Sequence, residues 1–598
     1  MKKYNKALAM LTASMLAITP MAAAGMTVFA ASITVNKVTD DGIERKYVAY
    51  PLITGTLAED GQTLTAMQWN NKIVRSNLET ALKKLDSTAF SGFSGTTTTP
   101  ADFATMANNY VGEDDTKAQN LAKIFNDTNI LPTTVGIELE KAGDTYTKTG
   151  LDDGWYLIKD ESTLNENGNV FSANILEVRG NTPAITPKFS LPTLTKKIVE
   201  GENRVDCNTA AIGDIVHYEI KTKVPNVQGY NKYFFIVEDN LSGGLTYVED
   251  SMNVSIKNVA LSPDSDSNKS TSTVGEYFIE KTGGTSGANT HIKVIFEDFL
   301  NYVKSNNLQA GDDITIKYDA RLNEYANIVS TGTNAGNPNT ANLVYSNNPN
   351  HNYTGDTGGN PDEPGTNDNA FVGETPEEKV NTYTTAIRIK KVDQDGQPLK
   401  GASFTLEGTK LKSVRVVTGS QFEQANDGTY WKLKNGSYTL TDPSALSEKE
   451  QNKYESTTQK YKKIPANATV LNAEGEPLKI TATVDDDGYL TFSGLNAGSY
   501  TLKETGVPSG YNKAEDIAFT LAAEVKDKDS ATWTNSSNVF GRLDSDAMFP
   551  TEIENVKGTT LPTTGGIGTK LFYIIGGLLV SGSLVLLITK KRMGAKEN

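Results

Sequence analysis

The fold is decided by a short stretch in the second half of the chain, AIRIKKVD at residues 386–393. Side chains alternate between the two faces of a β-strand, so Ile387, Ile389 and Lys391 share one face. Two isoleucines predict that this face packs into a core. The ammonium group of Lys391 is then aimed into the core as well.

Two earlier strands open with the same pattern, a lysine on an apolar face. Their residues are Leu194, Lys196 and Ile198 in one strand and Ile33, Val35 and Lys37 in the other. An unpaired buried ammonium is costly and tends to lose its proton. A single lysine of this kind would more simply extend towards water. Three repeats of the pattern favour buried amines.

Asparagine and carboxyl side chains in later strands supply reaction partners. Asn is a poor strand former, so Asn342 and Asn555 inside apolar strands require a specific reason. Asp239 and Glu504 alternate with apolar residues of their strands and share the inward face. A neutral lysine amine can attack an Asn carboxamide while a protonated carboxyl polarises the carbonyl and shuttles protons.

The sequence therefore predicts two intramolecular isopeptide bonds formed with loss of ammonia. The first joins Lys196 to Asn342 with Asp239 as the promoting carboxyl, and the second joins Lys391 to Asn555 with Glu504. In the N-terminal region Lys37 could pair with Asn174, but no carboxyl stands out there.

Composition and strand spacing indicate a mainly β protein. The chain has 51 glycines and 25 tyrosines, which favour turns and strands over helices. Many short strands at regular spacing predict tandem immunoglobulin-like β-sandwich domains. The single cysteine, Cys207, cannot form an internal disulfide.

Proline-rich connecting segments predict the boundaries between domains. We expect a mixed α+β domain at 31–182, a connector at 183–192, and sandwich domains at 193–384 and 385–558. Apolar residues at helical spacing predict helices at 65–85 and 100–125 within the first domain. The stretch LPTTV at 131–135 is interpreted as a loop, and residues 410–473 as a polar, irregular excursion.

Both ends carry targeting signals. Residues 1–30 combine early lysines, an apolar stretch and small residues, as a cleaved signal peptide does. Residues 559–598 contain an uncharged apolar run from Leu571 to Thr589, followed by the basic triplet KKR at 590–592. The run is long enough to cross a membrane as a helix, with the basic residues on the cytoplasmic side. An ordinary membrane anchor is the simpler interpretation of the apolar run alone.

A pentapeptide directly upstream of the apolar run changes that interpretation. Its residues are Leu561, Pro562, Thr563, Thr564 and Gly565. The order of this LPTTG motif, apolar run and basic tail is similar to the sorting signal of Gram-positive surface proteins. The resemblance implies that a sortase cleaves between Thr564 and Gly565 and transfers the Thr564 carbonyl to an amine.

Two further motifs resemble those of one family of surface proteins. YTLKETGVPSGY at 500–511 matches the E-box of Gram-positive pilins, and PLKGA at 398–402 resembles the opening of a CnaB-type domain. The second domain resembles the CnaA-like middle domain of major pilins, through Gly213-Asp214 and YSNNP at 345–349.

The resemblance, to the SpaA-type backbone pilins of sortase-assembled pili, also implies a pilin motif whose lysine accepts the next subunit. Only its end is present, ITPK at 185–188 in the connector, and Arg179 stands where the family has Trp. Lys188 is the expected acceptor of the Thr564 carbonyl. Lys197, on the solvent face of the next strand, is the nearest competitor.

Other function classes find little support. A net charge of −15 argues against a nucleic-acid partner. Asp-Gly runs at 485–488 and 393–396 do not continue into a full calcium loop and indicate hairpins. The three histidines form no metal or catalytic pattern. We therefore expect no cofactor, no metal and no enzymatic turnover.

The sequence thus predicts the major structural subunit of a covalently polymerised pilus, secreted and anchored to a Gram-positive cell wall. The expected partners are a pilin-class sortase, a housekeeping sortase, further copies of the chain, minor pilins and peptidoglycan, with host surface ligands as further candidates. The alternative is a monomeric wall-anchored adhesin that binds a host ligand.

Overall fold

The computed structural model describes most of the chain between residues 31 and 593. The described ranges are 31–37, 43–58, 63–112, 114–164, 170–172, 175–179, 184–187, 191–264, 274–285, 287–328, 336–425, 428–434, 438–528, 530–542, 548–558 and 567–593. The predicted signal peptide lies outside these ranges. So do the five residues of the predicted sorting motif, Leu561, Pro562, Thr563, Thr564 and Gly565.

The N-terminal part combines two small sheets with helices. Its strands are β1 Ala31–Asn36, β2 Tyr47–Leu57, β3 Leu64–Trp69, β4 Ile137–Glu138, β5 Glu140–Ala142, β6 Thr145–Leu151, β7 Gly154–Asp160 and β8 Ile175–Arg179, and its helices are α1 Arg75–Leu85, α2 Pro100–Val111 and α3 Asp115–Ile124. One sheet has the order β1-β6-β5, and the other has β3-β2-β7-β8 with β4 beside β2. A core around Phe90, Phe103 and Trp155 joins the helices to the second sheet.

The two helices predicted in this part are only partly right. Residues 65–69 belong to β3, which pairs with β2, so sheet pairing prevails over the helical spacing of Met67. The second helix is interrupted at Gly112, whose φ of 54° lies in the left-handed region that glycine adopts readily. Residues 133–135, expected in a loop, form a single 3-10 turn.

The middle part is a sandwich of two large sheets. Its strands are β9 Leu194–Glu200, β10 Asn203–Val205, β11 Cys207–Thr209, β12 Ile215–Lys223, β13 Phe235–Leu241, β14 Leu245–Tyr247, β15 Asn253–Ile256, β16 Val259–Ala260, β17 Ser262–Pro263, β18 Glu276–Gly283, β19 Thr290–Phe296, β20 Asp313–Leu322, β21 Asn337–Ser346, β22 Val372–Glu374 and β23 Glu378–Tyr383, with helix α4 Phe299–Ser305. One sheet runs β10-β9-β12-β20-β15-β16 with β14 beside β20, and the other runs β11-β23-β21-β13-β19-β18-β17 with β22 beside β21. Both sheets contribute to one buried core, which includes Tyr218 from the first and Phe235 and Leu343 from the second.

The C-terminal part is a second sandwich. Its strands are β24 Thr385–Asp393, β25 Ser403–Gly408, β26 Ser413–Gln424, β27 Trp431–Lys432, β28 Tyr438–Thr439, β29 Tyr461–Asn472, β30 Lys479–Thr483, β31 Tyr489–Leu495, β32 Gly498–Gly506, β33 Ile517–Asp527, β34 Ser530–Asn535 and β35 Met548–Asn555, with helix α5 Glu448–Gln451. The sheets run β29-β26-β31-β24-β35 and β30-β25-β32-β33-β34, with a separate β27-β28 pair. The first strand, β24, is parallel to the last, β35, so both ends of this part meet in one sheet.

The excursion expected at 410–473 is not irregular at its two ends. β26 and β29 pair from Ser413↔Asn472 to Gln424↔Tyr461, and β26 also pairs with β31. Val414 is buried in the core of the C-terminal sandwich, which anchors the hairpin to it. The mainly β fold is confirmed. The domain boundaries stay predictions.

The C-terminal apolar run forms the helix α6, Ile567–Met593. Its span Phe572–Lys591 has a mean hydropathy of 2.2 and is long and apolar enough to cross a membrane. None of this span is buried against the protein, which suits a helix whose solvent is lipid.

Candidate functional site

The first candidate centre is built around Lys196 on β9. Its side chain is fully buried, at 0% exposure, and its neighbours Leu194 and Ile198 are buried as well. The predicted inward direction of this lysine is therefore confirmed. The ammonium lies over two aromatic rings, 5.3 Å from the centroid of Tyr218 and 5.2 Å from that of Tyr318.

Asp239 reaches the same lysine from β13 in the opposite sheet. Lys196 Nζ donates hydrogen bonds to Asp239 Oδ2 and to the Tyr318 hydroxyl oxygen, which is 2.9 Å away. The Tyr318 hydroxyl donates to the same carboxylate oxygen over 2.8 Å. The structure thus brings the predicted lysine and carboxyl together and adds a tyrosine that sequence reasoning missed.

The asparagine of this centre is Asn339, and the prediction of Asn342 is wrong. Asn339 is fully buried, and its Nδ2 donates to the Tyr318 hydroxyl over 2.7 Å. Asn342 lies opposite Glu238 on β13, whereas Asp239 lies opposite Ala341. Neighbouring residues face opposite sides of a strand, so Asn342 projects away from the Lys196 side.

The electrostatics of this centre favour neutral side chains. Burial lowers the pKa of Lys196, although the negative charge of Asp239 opposes the shift. Burial raises the pKa of Asp239, although Lys196 opposes that shift. Among the described residues, Asp239 Oδ1 and Asn339 Oδ1 are buried acceptors without a hydrogen-bond partner. A proton on Asp239 would convert one of these acceptors into a donor.

The second candidate centre lies between the first and last strands of the C-terminal sandwich. Lys391 on β24 is fully buried, and its Nζ donates to the carbonyl oxygen of Ile553 over 2.8 Å. Asn555 is two positions further along β35 and therefore shares a face with Ile553. Its Nδ2 donates to Glu504 Oε1 over 2.8 Å, while Glu504 Oε2 accepts the backbone N–H of Ala514 at 2.7 Å.

Burial lowers the pKa of Lys391, with the charges of Glu504 and Glu554 opposing. Asn555 and Glu504 are each 1% exposed, and Asn555 Oδ1 has no hydrogen-bond partner among the described atoms. Both centres therefore contain a buried lysine, a buried carboxyl and a buried carboxamide. That set permits amine attack on the carboxamide with proton transfer through the carboxyl.

The N-terminal part lacks a comparable arrangement among the described residues. Lys37 follows the end of β1 and is exposed, so the expectation of a buried amine there is wrong. An exposed ammonium is not desolvated, so Lys37 lacks the burial that Lys196 and Lys391 share. Its suggested partner, Asn174, lies outside the described residues.

The predicted acceptor Lys188 also lies outside the described residues, but the segment before it is ordered against β1. Ile185 forms a parallel bridge with Val35, and Asn36 Nδ2 donates to the Thr186 hydroxyl over 2.9 Å. The competing lysine, Lys197, donates to Asp206 at 2.6 Å. The connector is thus held at the edge of the N-terminal sheet directly before Lys188.

The predicted donor motif lies between two described elements. Leu561, Pro562, Thr563, Thr564 and Gly565 follow β35, whose last residue is Asn555, and precede α6, which begins at Ile567. The five residues themselves are outside the described ranges. The motif therefore connects the end of the C-terminal sandwich to the apolar helix.

Three family models match this chain. Residues 212–349 match the Gram-positive pilin backbone subunit 2, Cna-B-like domain, a description that differs from the CnaA-like type expected for the middle part. Residues 385–462 and 450–537 match the prealbumin-like fold domain of the SpaA family. Residues 553–593, which include the pentapeptide 561–565, match the LPXTG cell wall anchor motif.

Two comparisons with individual proteins point the same way. The trypsin-resistant surface T6 protein of Streptococcus pyogenes serotype M6 is 28% identical over 449 residues, covering 72% of this chain and 75% of the relative. The solved structure of the T6 backbone pilin of serotype M6 Streptococcus pyogenes has a TM-score of 0.50 and 16% identity, covering 89% of this chain and 100% of that one. The structural likeness concerns the fold.

Proposed function

This chain belongs to the backbone pilins of Gram-positive bacteria, and from that premise we propose that a sortase joins the Thr564 carbonyl of one copy to Lys188 of the next. The observation that carries this proposal is the presence, in one chain, of a pilin backbone domain and a cell wall anchor motif. The product is a covalent shaft attached to the cell wall.

The proposed transfer breaks one amide bond and forms another. The bond between Thr564 and Gly565 breaks, and the Thr564 carbonyl passes to the sortase as a thioester. The neutral amine of Lys188 then attacks this carbonyl, and a new amide forms as the sortase thiol leaves. The helix α6 and its basic end hold the substrate at the membrane until the bond between Thr564 and Gly565 is cleaved, and they are then discarded.

We assign polymerisation and wall anchoring to two different sortases. A pilin-class sortase extends the shaft, and a housekeeping sortase transfers the last Thr564 carbonyl to peptidoglycan. Minor pilins would join the same shaft through the same chemistry, and host surface ligands are further candidate partners.

A wall extract tests this proposal directly. Cells that express the chain with a pilin-class sortase should yield a ladder of multimers that survives boiling in detergent. The ladder should be absent when residues 561–565 are deleted. A single wall-linked band in the presence of that sortase would instead support the monomeric adhesin.

We further propose an internal isopeptide bond in each sandwich. In the middle part the neutral Lys196 amine attacks the Asn339 carboxamide carbon. Protonated Asp239 polarises the carbonyl and passes a proton to the leaving group. A new C–N bond forms, the original one breaks, and ammonia is released. In the C-terminal part Lys391, Asn555 and Glu504 take the same three roles.

Asn339→Ala and Asn342→Ala variants distinguish the two candidate asparagines. We expect Asn339→Ala to gain one ammonia in mass relative to the cross-linked chain, after correction for the substitution. Asn342→Ala, the matched control on the same strand, should keep the mass deficit because its side chain faces away from Lys196. Intact-mass spectrometry measures both. A lost deficit in Asn342→Ala alone would restore the original assignment.

A further inference from the structure

Three carboxylates that neither lysine centre uses come together at one edge of the middle sandwich. Asp264 follows β17, Glu276 opens β18 and Glu297 follows β19. One carboxylate oxygen from each residue lies within 4.8 Å of the other two. Two oxygens on opposite sides of a calcium ion at about 2.4 Å each would be about as far apart, so one ion fits between them.

The backbone fixes this cluster. β17 pairs in parallel with β18, and β18 pairs in antiparallel with β19. The N–H of Glu297 donates to the carbonyl of Glu276 over 3.1 Å, and the N–H of Asp264 donates to the carbonyl of Tyr277 over 2.8 Å. Hydrogen bonds between the backbones of these neighbouring strands therefore hold the three carboxylate residues next to one another.

Glu297 supplies an independent sign of a ligand. The residue is 2% exposed, and its Oε2 is buried without a hydrogen-bond partner among the described atoms. A buried carboxylate oxygen without a donor is costly. The same side chain places one of its carboxylate oxygens in the acidic cluster, where a cation would balance its charge.

The nearby lysines are already engaged. Lys232 pairs with Asp362 at 2.6 Å, and Lys293 pairs with Glu363 at 2.9 Å. Within the described part of the chain, neither Glu276 nor Glu297 has a basic group within ion-pair distance. The negative charge of Glu276 and Glu297 is therefore not balanced by an ion pair within the described part of the chain.

We propose that Asp264, Glu276 and Glu297 bind a hard divalent cation, Ca²⁺, outside the cell. Carboxylate oxygens are the ligands that Ca²⁺ prefers, and its flexible geometry accepts three protein ligands completed by water. Mg²⁺ demands closer and more regular coordination. Binding ties three strand ends together at a point that neither proposed isopeptide bond reaches.

Calorimetric titration of the purified full chain with CaCl₂ tests the site, with MgCl₂ and matched NaCl as comparison arms. We expect one Ca²⁺ per chain with a dissociation constant on the order of 10⁻⁴–10⁻³ M. Millimolar Ca²⁺ should also raise the melting temperature by roughly 3–5 °C.

Glu297→Gln should abolish both responses while folding normally, because it keeps the shape and removes a repelling charge. Asp486→Asn is the control, since Asp486 lies in the turn between β30 and β31 with its side chain 92% exposed. A wild-type chain that ignores 10 mM Ca²⁺, or a Glu297→Gln chain that responds fully, would overturn the proposal. An equal response to Mg²⁺ would overturn the preference for calcium.

Discussion

A Lys188→Ala variant is expected to lose the detergent-resistant ladder of multimers completely. Sortase can still form its thioester with Thr564, because the LPTTG motif is unchanged. The acceptor amine is missing, so the thioester passes to peptidoglycan or water instead. The chain should remain on the cell wall as a single species, detected by immunoblotting of wall extracts.

Lys197→Ala is the matched control for this experiment. Lys197 is the nearest competing lysine, and its ammonium already pairs with Asp206 at 2.6 Å. We expect its variant to polymerise normally. A persistent ladder in Lys188→Ala together with a lost ladder in Lys197→Ala would move the acceptor to β9.

The second large effect is expected from Glu504→Gln. The variant keeps the size of the side chain but removes the carboxyl that would transfer protons between Lys391 and Asn555. The bond should not form, and the intact mass should rise by one ammonia after correction for the substitution. Without a covalent link between the first and last strands, stability should fall by about 5 kcal/mol, by analogy with disulfides that close long loops.

That loss corresponds to a melting temperature lower by roughly 10–20 °C for a domain of this size. Calorimetry of the full chain measures it. Glu552→Gln is the control, because Glu552 lies on β35 and pairs with Lys390 at 3.3 Å with its side chain largely exposed. An unchanged mass and melting temperature in Glu504→Gln would remove Glu504 from the proposed chemistry.

Strand alternation was sufficient to locate most of the two lysine centres. Lys196 and Asp239 each sit between apolar residues that face one core, and Lys391 follows Ile387 and Ile389 on one face, so a period of two fixes their direction. Glu504 and Asn555 follow the same rule and are buried as expected. The alternation of apolar and polar residues predicts side-chain direction well wherever only one face of a strand is apolar.

The same rule failed at Asn342 because both faces of β21 are apolar there. Val344 packs with Ile236 and Ile295 in a separate buried cluster on the outer face, while Leu343 belongs to the main core. A sequence pattern cannot then tell which face meets β9. The pairing of β21 with β13 shows that Asn339, and not Asn342, lies on the same face as Asp239 and so faces Lys196.

Other features depended on contacts between distant segments. The apolar residues of β3 have helical spacing, which led to the wrong prediction of a helix. The pairing of β3 with β2 cannot be predicted from the residues of β3 alone. The carboxylates of Asp264, Glu276 and Glu297 meet only through strand pairing. Tyr318 carried no signal beyond its alternation with Ile316, although it contacts Lys196, Asp239 and Asn339.

In the proposed shaft each copy supplies both a donor, the Thr564 carbonyl, and an acceptor, Lys188, for the bonds to its two neighbours. Mass spectrometry of peptides from purified, protease-digested pili tests it most directly. We expect a branched peptide in which the Thr564 carbonyl, at the end of Leu561-Pro562-Thr563-Thr564, is joined to the side-chain amine of Lys188. A branched peptide that joins Thr564 to any other lysine, or Thr564 found only on peptidoglycan fragments, would contradict it.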